Sequence, residues 1–261
     1  MLQIIKSYLK FLYNSKNEHG VHSPFVFDLV TKCFYDKTKY PDYSILKSYR
    51  KSLTENKNFI EVTDFGAGSR VFKSNRRQIS KIAKTAGISQ KRAELLFRIT
   101  KYFQPETILE IGTSLGLATS ALSLGNTDIK VTTLEGCSNT LAVAKQQFQT
   151  SNFKSEDIEF INTEFSSYLR NSKLPTPNYQ LIYFDGNHSK QATLNYFELL
   201  LPTITNETVW IFDDIHWSSE MEDAWETIKN HPKVTVTIDT FQWGIVFFRT
   251  EQEKEHFTIR V

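Results

Sequence analysis

Cysteine is scarce in this chain. Two residues, Cys33 and Cys137, occur in 261, far apart and in no metal-ligand spacing. That excludes a disulfide framework and fits a reducing, cytoplasmic setting. Long apolar runs are missing too, so no stretch reads as a bilayer span. The opening run, Met1 to Leu12, breaks its apolar positions with Lys6 and Lys10. It reads as an amphipathic helix, not a signal peptide. Such a face suits packing on the body or on a second subunit, which leaves a homodimer open; a membrane-surface contact is the weaker alternative. Charge of one sign is not in excess: 31 Lys+Arg face 29 Asp+Glu. Nothing global therefore points to a nucleic-acid coat protein.

The charge that is present is unevenly placed. Residues 1–90 hold 16 Lys+Arg and 7 Asp+Glu, whereas residues 91–261 hold 15 and 22. A basic front suits an anionic substrate, a lipid headgroup or RNA, and equally a solvated helical surface. Residues 1–60 read as helices with polar connections. Within them lies His19-Gly20-Val21-His22-Ser23-Pro24-Phe25, where Ser23 can cap a helix that has Pro24 at its first position. The two histidines suit a metal or a substrate contact, or a purely structural turn. Asp64-Phe65-Gly66-Ala67-Gly68-Ser69 imitates a Gly-rich cofactor turn. However, the residues after it form no apolar helix, and no acid-ended strand follows at about 20 residues, as a ribose-binding acid should. It reads as a basic loop, either ordinary or lying over an active site.

From Ser89 the pattern turns regular. Ser89 caps a helix carrying Leu95, Leu96, Ile99, Tyr102 and Phe103. Then Ile108 to Thr119 runs as an apolar strand, a turn with Gly112 and Gly116, and a helix start. Strands follow at Ile129–Glu135, Ile158–Ile161, Tyr179–Phe184 and Val209–Phe212, each with a helix after it. Ser219 and Glu222 have capping-box spacing ahead of a helix with Trp225 and Ile228. Two closing strands, Val234–Ile238 and Gly244–Arg249, must form a hairpin. The fold class is α/β. It has a Rossmann-like open, mostly parallel sheet with helices on both faces and a C-terminal antiparallel hairpin, behind a mainly helical N-terminal extension. The expected division is 1–88 for the extension and 89–261 for the main domain.

Ligands of such sheets bind beyond the C-terminal strand ends. Those ends carry Glu110, Gly112, Glu135, Asp185, Asp213 and Asp214, and buried strand ends are poor places for unpartnered carboxylates. The turn is E-x-G-x-x-x-G, not the dinucleotide G-x-G-x-x-G. Acids repel a pyrophosphate but suit an ammonium, a sulfonium and ribose hydroxyls. S-adenosylmethionine presents all of these. Glu135, at the end of the next strand, can accept both ribose hydroxyls.

Four segments carry a family resemblance. They are Leu109-Glu110-Ile111-Gly112-Thr113-Ser114-Leu115-Gly116, Leu134-Glu135-Gly136, Phe184-Asp185-Gly186-Asn187-His188 and Phe212-Asp213-Asp214. With them, residues from about Ser89 to Arg249 resemble class I S-adenosylmethionine-dependent methyltransferases of the O-methyltransferase branch, which includes catechol O-methyltransferase. The front block resembles poorly characterised bacterial members of that group. The resemblance implies cofactor positions at Glu110, Gly112, Thr113, Ser114, Gly116, Glu135, Gly136 and Asp185. Glu164 falls near the adenine position, with Thr163-Glu164 in place of the usual Gly-Asp. Asp185, Asp213 and Asp214 match the acids that hold Mg²⁺ or another divalent cation in metal-dependent members. Asp185 also has an alternative hydrogen-bonding role. His188 stands where catechol-type enzymes place their catalytic lysine, and a neutral imidazole is a suitable base near pH 7. Lys190 lies outside that register. His216-Trp217 can line an acceptor pocket or simply pack, and Trp243-Gly244 reads as core or pocket wall.

The expected activity is therefore methyl transfer to a hydroxyl of a small acceptor, anionic ones included. Two alternatives remain: a non-catalytic S-adenosylmethionine-binding or scaffold protein, and an RNA methyltransferase using the basic front. An amino acceptor is less favoured, since the Asn/Asp-Pro-Pro-aromatic run of base-amine methyltransferases is missing, and nucleic acid is not the favoured partner. A nicotinamide enzyme is the weakest reading.

Overall fold

The structure is a computed structural model that describes residues 2–65, 68, 72–126, 128–151, 153, 155–170 and 178–261. The chain forms two compact units. One joins Met1–Tyr35 to Leu169–Val261, and the other runs from Asp36 to Tyr168.

The first unit opens with α1 (Leu2–Asn14) and α2 (Pro24–Leu29). Helix α1 buries Phe11, and its Tyr8 and Phe11 rings lie 4.8 and 5.5 Å from the ring of Phe241. Ser23 caps α2 as expected: its hydroxyl accepts the Val26 N–H, and Pro24 occupies the first turn. His19 and His22 are exposed. Ser23 and Pro24 thus fix the start of α2.

The second unit contains α3 (Asp42–Glu55), β1 (Phe59–Glu61), β2 (Arg76–Gln78), α4 (Ile79–Thr85), α5 (Gln90–Phe103), β3 (Thr107–Ile111), α6 (Leu117–Leu124), β4 (Lys130–Glu135), α7 (Ser138–Thr150) and β5 (Ile158–Asn162). Ser89 caps α5 by accepting the Arg92 N–H, and Leu95, Leu96 and Ile99 are buried beneath it. Strands β3, β4 and β5 pair in parallel, with Glu110 opposite Thr133 and Thr133 opposite Phe160. Such strands are covered on both faces, which is why β3 reads as an unbroken apolar run. The antiparallel β1–β2 pair is a difference from the sequence reading. Arg76-Arg77-Gln78 has no apolar alternation to betray a strand. Within the Asp64–Ser69 block, Gly66, Ala67 and Ser69 lie outside the described residues.

Helix α8 (Phe165–Arg170) leads into the remainder of the first unit: β6 (Leu181–Phe184), α9 (Lys190–Leu200), β7 (Val209–Asp213), α10 (Ser219–Asn230), β8 (Val236–Asp239), β9 (Trp243–Phe247) and β10 (Glu255–Thr258). Its strand order is β10-β8-β9-β7-β6. Strand β9 runs antiparallel to β7 and β8, which is the expected closing hairpin. Strand β10 adds itself in parallel to β8 and was not foreseen, because Glu255-His256-Phe257-Thr258 is mostly polar. The cap of α10 is Ser218, whose hydroxyl accepts the Met221 N–H. This corrects the Ser219–Glu222 capping box by one residue. Ser218 has extended dihedrals, while Ser219 is already helical, and Glu222 is engaged elsewhere. Trp210, Trp225 and Trp243 are fully buried. A Cβ on Gly244 would stand 2.5 Å from the Trp225 ring, so Trp243-Gly244 is core. Both units thus carry mostly parallel sheet flanked by helices, the fold class expected. No helix among the described residues is long and apolar enough to cross a membrane.

Candidate active site

In the second unit the glycine turn is held from below by a buried carboxylate. Glu110 is fully buried, and its Oε2 accepts the hydroxyls of Thr119 and Thr133. With Thr133 donating to Glu110, Thr113 donates in turn to Thr133, at 2.6 Å. These bonds tie β3, β4 and α6 together and fix the turn between them. The Gly112 and Thr113 N–H groups both donate to the Leu134 carbonyl at 3.0 Å. Gly112 and Gly116 take φ values of 108° and 77°, and Ser114 takes 48°. The glycines are therefore needed for backbone reasons. Gly116 is needed for space as well: a Cβ there would meet Tyr49 Oη at 2.6 Å. That hydroxyl donates to the Leu115 carbonyl at 2.9 Å.

Glu135 ends β4. Its two oxygens accept the Ser114 N–H at 2.8 Å and the Cys137 N–H at 2.9 Å. Burial raises its pKa above the ordinary glutamate value. The backbone donors of Cys137, Ser114 and Gly136 oppose that rise, and the charge of Asp64 adds to it. Each carboxylate oxygen keeps a second lone pair, enough for a vicinal diol. The turn's donor set pairs this acid with small residues and contains no Lys or Arg, so it suits a ribose and a cationic ligand and not a pyrophosphate. Glu164 is used locally. Its carboxylate accepts the Ser166 N–H at 2.9 Å and the Ser167 N–H and hydroxyl at 2.7 and 2.8 Å, capping the first turn of α8.

In the first unit Asp185 follows β6. His188 Nε2 stands 3.5 Å from Asp185 Oδ1. Asn187 sits between them in a left-handed conformation, φ 52°, which turns the chain so that the Ser189 hydroxyl can cap α9. Burial is the largest single influence on His188 and depresses its pKa. The bond to Asp185 and the charges of Asp185, Asp214 and Asp213 together outweigh it and raise the pKa to about 9. The expected neutral imidazole near pH 7 is therefore replaced by an imidazolium: three acids stabilise the proton more than burial opposes it. Asp213 is buried at the end of β7, and Asp214 has φ 54°. The expected metal triad is not assembled. Among the described residues no three His, Cys, Asp or Glu side chains come together to hold an ion. The charges of Asp185, Asp213 and Asp214 bear instead on His188 and stabilise its proton. Lys190 points to Asp223 at 3.4 Å.

His216 takes part in a network that the sequence reading missed. Its Nδ1 lies 2.9 Å from Glu222 and its Nε2 3.0 Å from Asp239, and its ring stacks on Phe241. Burial lowers its pKa, but the two carboxylates prevail and raise it. The signal was thin, since Asp239 lies 23 residues away in the hairpin. Phe65 belongs to the Asp64–Ser69 block, which the sequence places in an ordinary loop or over an active site. Its ring lies against Gly136, with Cδ2 at 2.8 Å from where a Cβ would stand.

Residues 109–215 match the family described as a methyltransferase domain. No curated protein matches the sequence. Among solved structures, the chain is similar to the S-adenosylhomocysteine-bound methyltransferase PaMTH1 from Podospora anserina, at 14% identity and TM-score 0.61 over 88% of this chain and 97% of that one. It is similar to an O-methyltransferase from Bacillus cereus in complex with S-adenosylhomocysteine, at 17% identity and TM-score 0.56, covering 83% and 95%. A third likeness is to the O-methyltransferase TomG from Streptomyces achromogenes, involved in tomaymycin synthesis and solved with S-adenosylmethionine, at 13% identity and TM-score 0.55, covering 84% and 95%.

Proposed function

We propose that this chain, which carries a methyltransferase domain and the fold of S-adenosylmethionine-dependent O-methyltransferases, transfers a methyl group to a hydroxyl of a small molecule. Residues 89–261 serve as the cofactor-binding domain and 1–88 as its extension. One observation carries the reading: the Gly112–Gly116 turn is locked to Glu135 by the Ser114 N–H, inside the stretch that matches a methyltransferase domain. Glu135 accepts the ribose hydroxyls. Gly112 and Gly116 let the ligand approach the backbone closely, and Glu110 keeps the turn in shape. When bound, S-adenosylmethionine supplies an electrophilic methyl group on a sulfonium.

His188 removes the acceptor's hydroxyl proton, and Asp185 orients the ring. With its pKa near 9, His188 is protonated in all but roughly one molecule in a hundred at pH 7. Its base form grows as pH rises. Much of the rate comes from positioning.

Calorimetric titration with S-adenosylhomocysteine tests the cofactor half. The wild type binds, and Glu135→Ala binds at least about tenfold more weakly, since hydrogen bonds to a carboxylate are lost. A wild type that does not bind sinks the proposal. Turnover against a panel of phenols, sugars and anionic alcohols tests the other half. His188→Ala should lose about a hundredfold or more in kcat while keeping its affinity for the cofactor. Binding without turnover of any acceptor would leave a binding protein and not an enzyme.

A further inference from the structure

Gly136 follows the ribose-side acid directly, yet nothing in its own backbone requires glycine: its φ is not in the left-handed range, unlike those of Gly112 and Gly116. What it supplies is space. The Phe65 ring occupies that space, with Cδ2 at 2.8 Å and Cε2 at 3.1 Å from the position a Cβ would take. Any larger residue at 136 would push the ring away.

Phe65 is nevertheless 58% exposed. A phenyl ring that touches a glycine on one side and is otherwise largely open contributes little to a core. Its position, in contrast, is firmly set. Strand β1 is paired to β2. The Asn139 side chain donates to the Glu61 carbonyl at 2.8 Å, and the Thr63 N–H donates to Cys137 Sγ at 3.4 Å. Asp64 pairs with Arg77 at 3.1 Å. Arg77 is itself mostly buried, at 12% side-chain exposure. The chain leaving β1 is thus fastened at Glu61 and Thr63 to the segment just after Glu135-Gly136, and at Asp64 to Arg77 of β2. An exposed apolar ring held this tightly beside a ligand-binding carboxylate is placed to meet a ligand.

The ligand's chemistry follows from Glu135. A ribose held there by its hydroxyls carries its base on the adjacent carbon, within one sugar width of the carboxylate. Gly136 presents no side chain to that base, and Glu164 is taken up as a helix cap. We propose that Phe65, from the β1–β2 extension, is the aromatic wall against which the adenine of the cofactor lies. Phe65 is a binding residue supplied from outside the 109–215 match, standing over a glycine that the main domain leaves bare for it. This assignment rests on the cofactor reading above.

The test is titration with S-adenosylhomocysteine, run in parallel on wild type and variants. Phe65→Ala should bind about tenfold more weakly, the scale of one base–aromatic stack, with an unchanged melting temperature in the absence of ligand. Gly136→Ala should weaken binding similarly by displacing the ring. Added to Phe65→Ala it should cost little more, because the collision is gone. Phe65→Trp should keep near wild-type affinity. Its added fluorescence should be quenched by S-adenosylhomocysteine and by adenosine, but not by methionine. If the wild type binds and Phe65→Ala binds equally well, the wall is refuted and the cofactor reading stands. Quenching of Phe65→Trp no greater than that of the wild type would refute it too. If the wild type does not bind at all, the cofactor reading falls first, and this assignment with it.

Discussion

His188 shows how a side chain's neighbours reset its chemistry. Asp185, Asp213 and Asp214 read as ligands for an ion when taken as sequence positions. In the fold their charges converge on an imidazole and hold a proton there, with a pKa of about 9 against an ordinary 6.5. The stabilisation this lends the fold is fully present below pH 6.5 and is lost as pH rises through about 9. Two outcomes follow. The melting-temperature gap between wild type and His188→Ala should be widest on the acid side of 6.5 and should close above about 9. Turnover should climb with pH toward the same value if His188 is the base; a flat profile would remove it from that role. Glu135 responds in the opposite sense. Its raised pKa means that its carboxylate form, and cofactor affinity with it, fades at a higher pH than for an exposed glutamate.

Among the elements, the β3–turn–α6 unit was the most legible. Its strand is a buried apolar run, and its turn needs glycine for the φ values of 108° and 77°. Gly116→Ala should destabilise the fold by about 2 kcal/mol, from left-handed strain plus collision with Tyr49 and Phe148. Thermal melting will check this, and an unperturbed midpoint would mean that α3 can shift to make room. Helices α2 and α5 were equally legible, because Ser23 and Ser89 cap them in the expected way. The elements that escaped were β2 and β10. Both are short and polar, and each exists only because a partner strand offers it hydrogen bonds. The one-residue error at α10 has a similar origin. Ser218 and Ser219 are chemically identical, and only the extended dihedrals of Ser218 decide which one caps.

For the whole molecule, the basic front is not a single body. Residues 1–35 fold with 169–261, and residues 36–90 fold with 91–168. Counted by unit, 36–168 holds 19 Lys+Arg and 14 Asp+Glu, while the remainder holds 12 and 15. The net charges are +5 and −3, which return the total of +2. The apparent +9 of residues 1–90 is thus diluted in both units, which weakens the case for an RNA-binding front. Labelled RNA should show no binding at physiological salt, where a true phosphate-contacting surface would show affinity falling steeply as salt is raised. Salt-sensitive binding of that kind would revive the RNA methyltransferase reading.

The sequence by itself determined the strand–helix alternation, the glycine turn, the acids at the strand ends and the cofactor to expect. These are local matters: apolar periodicity, backbone freedom and a carboxylate at a fixed distance along the chain. Only the tertiary structure decided what those acids face. Glu110 meets threonine hydroxyls, Glu164 meets the start of its own helix, and Asp185 meets a protonated histidine. Only the tertiary structure, too, brought Phe65 to Gly136 across 71 residues of chain. A side chain's partner is set by packing between distant segments, and no local pattern encodes that distance.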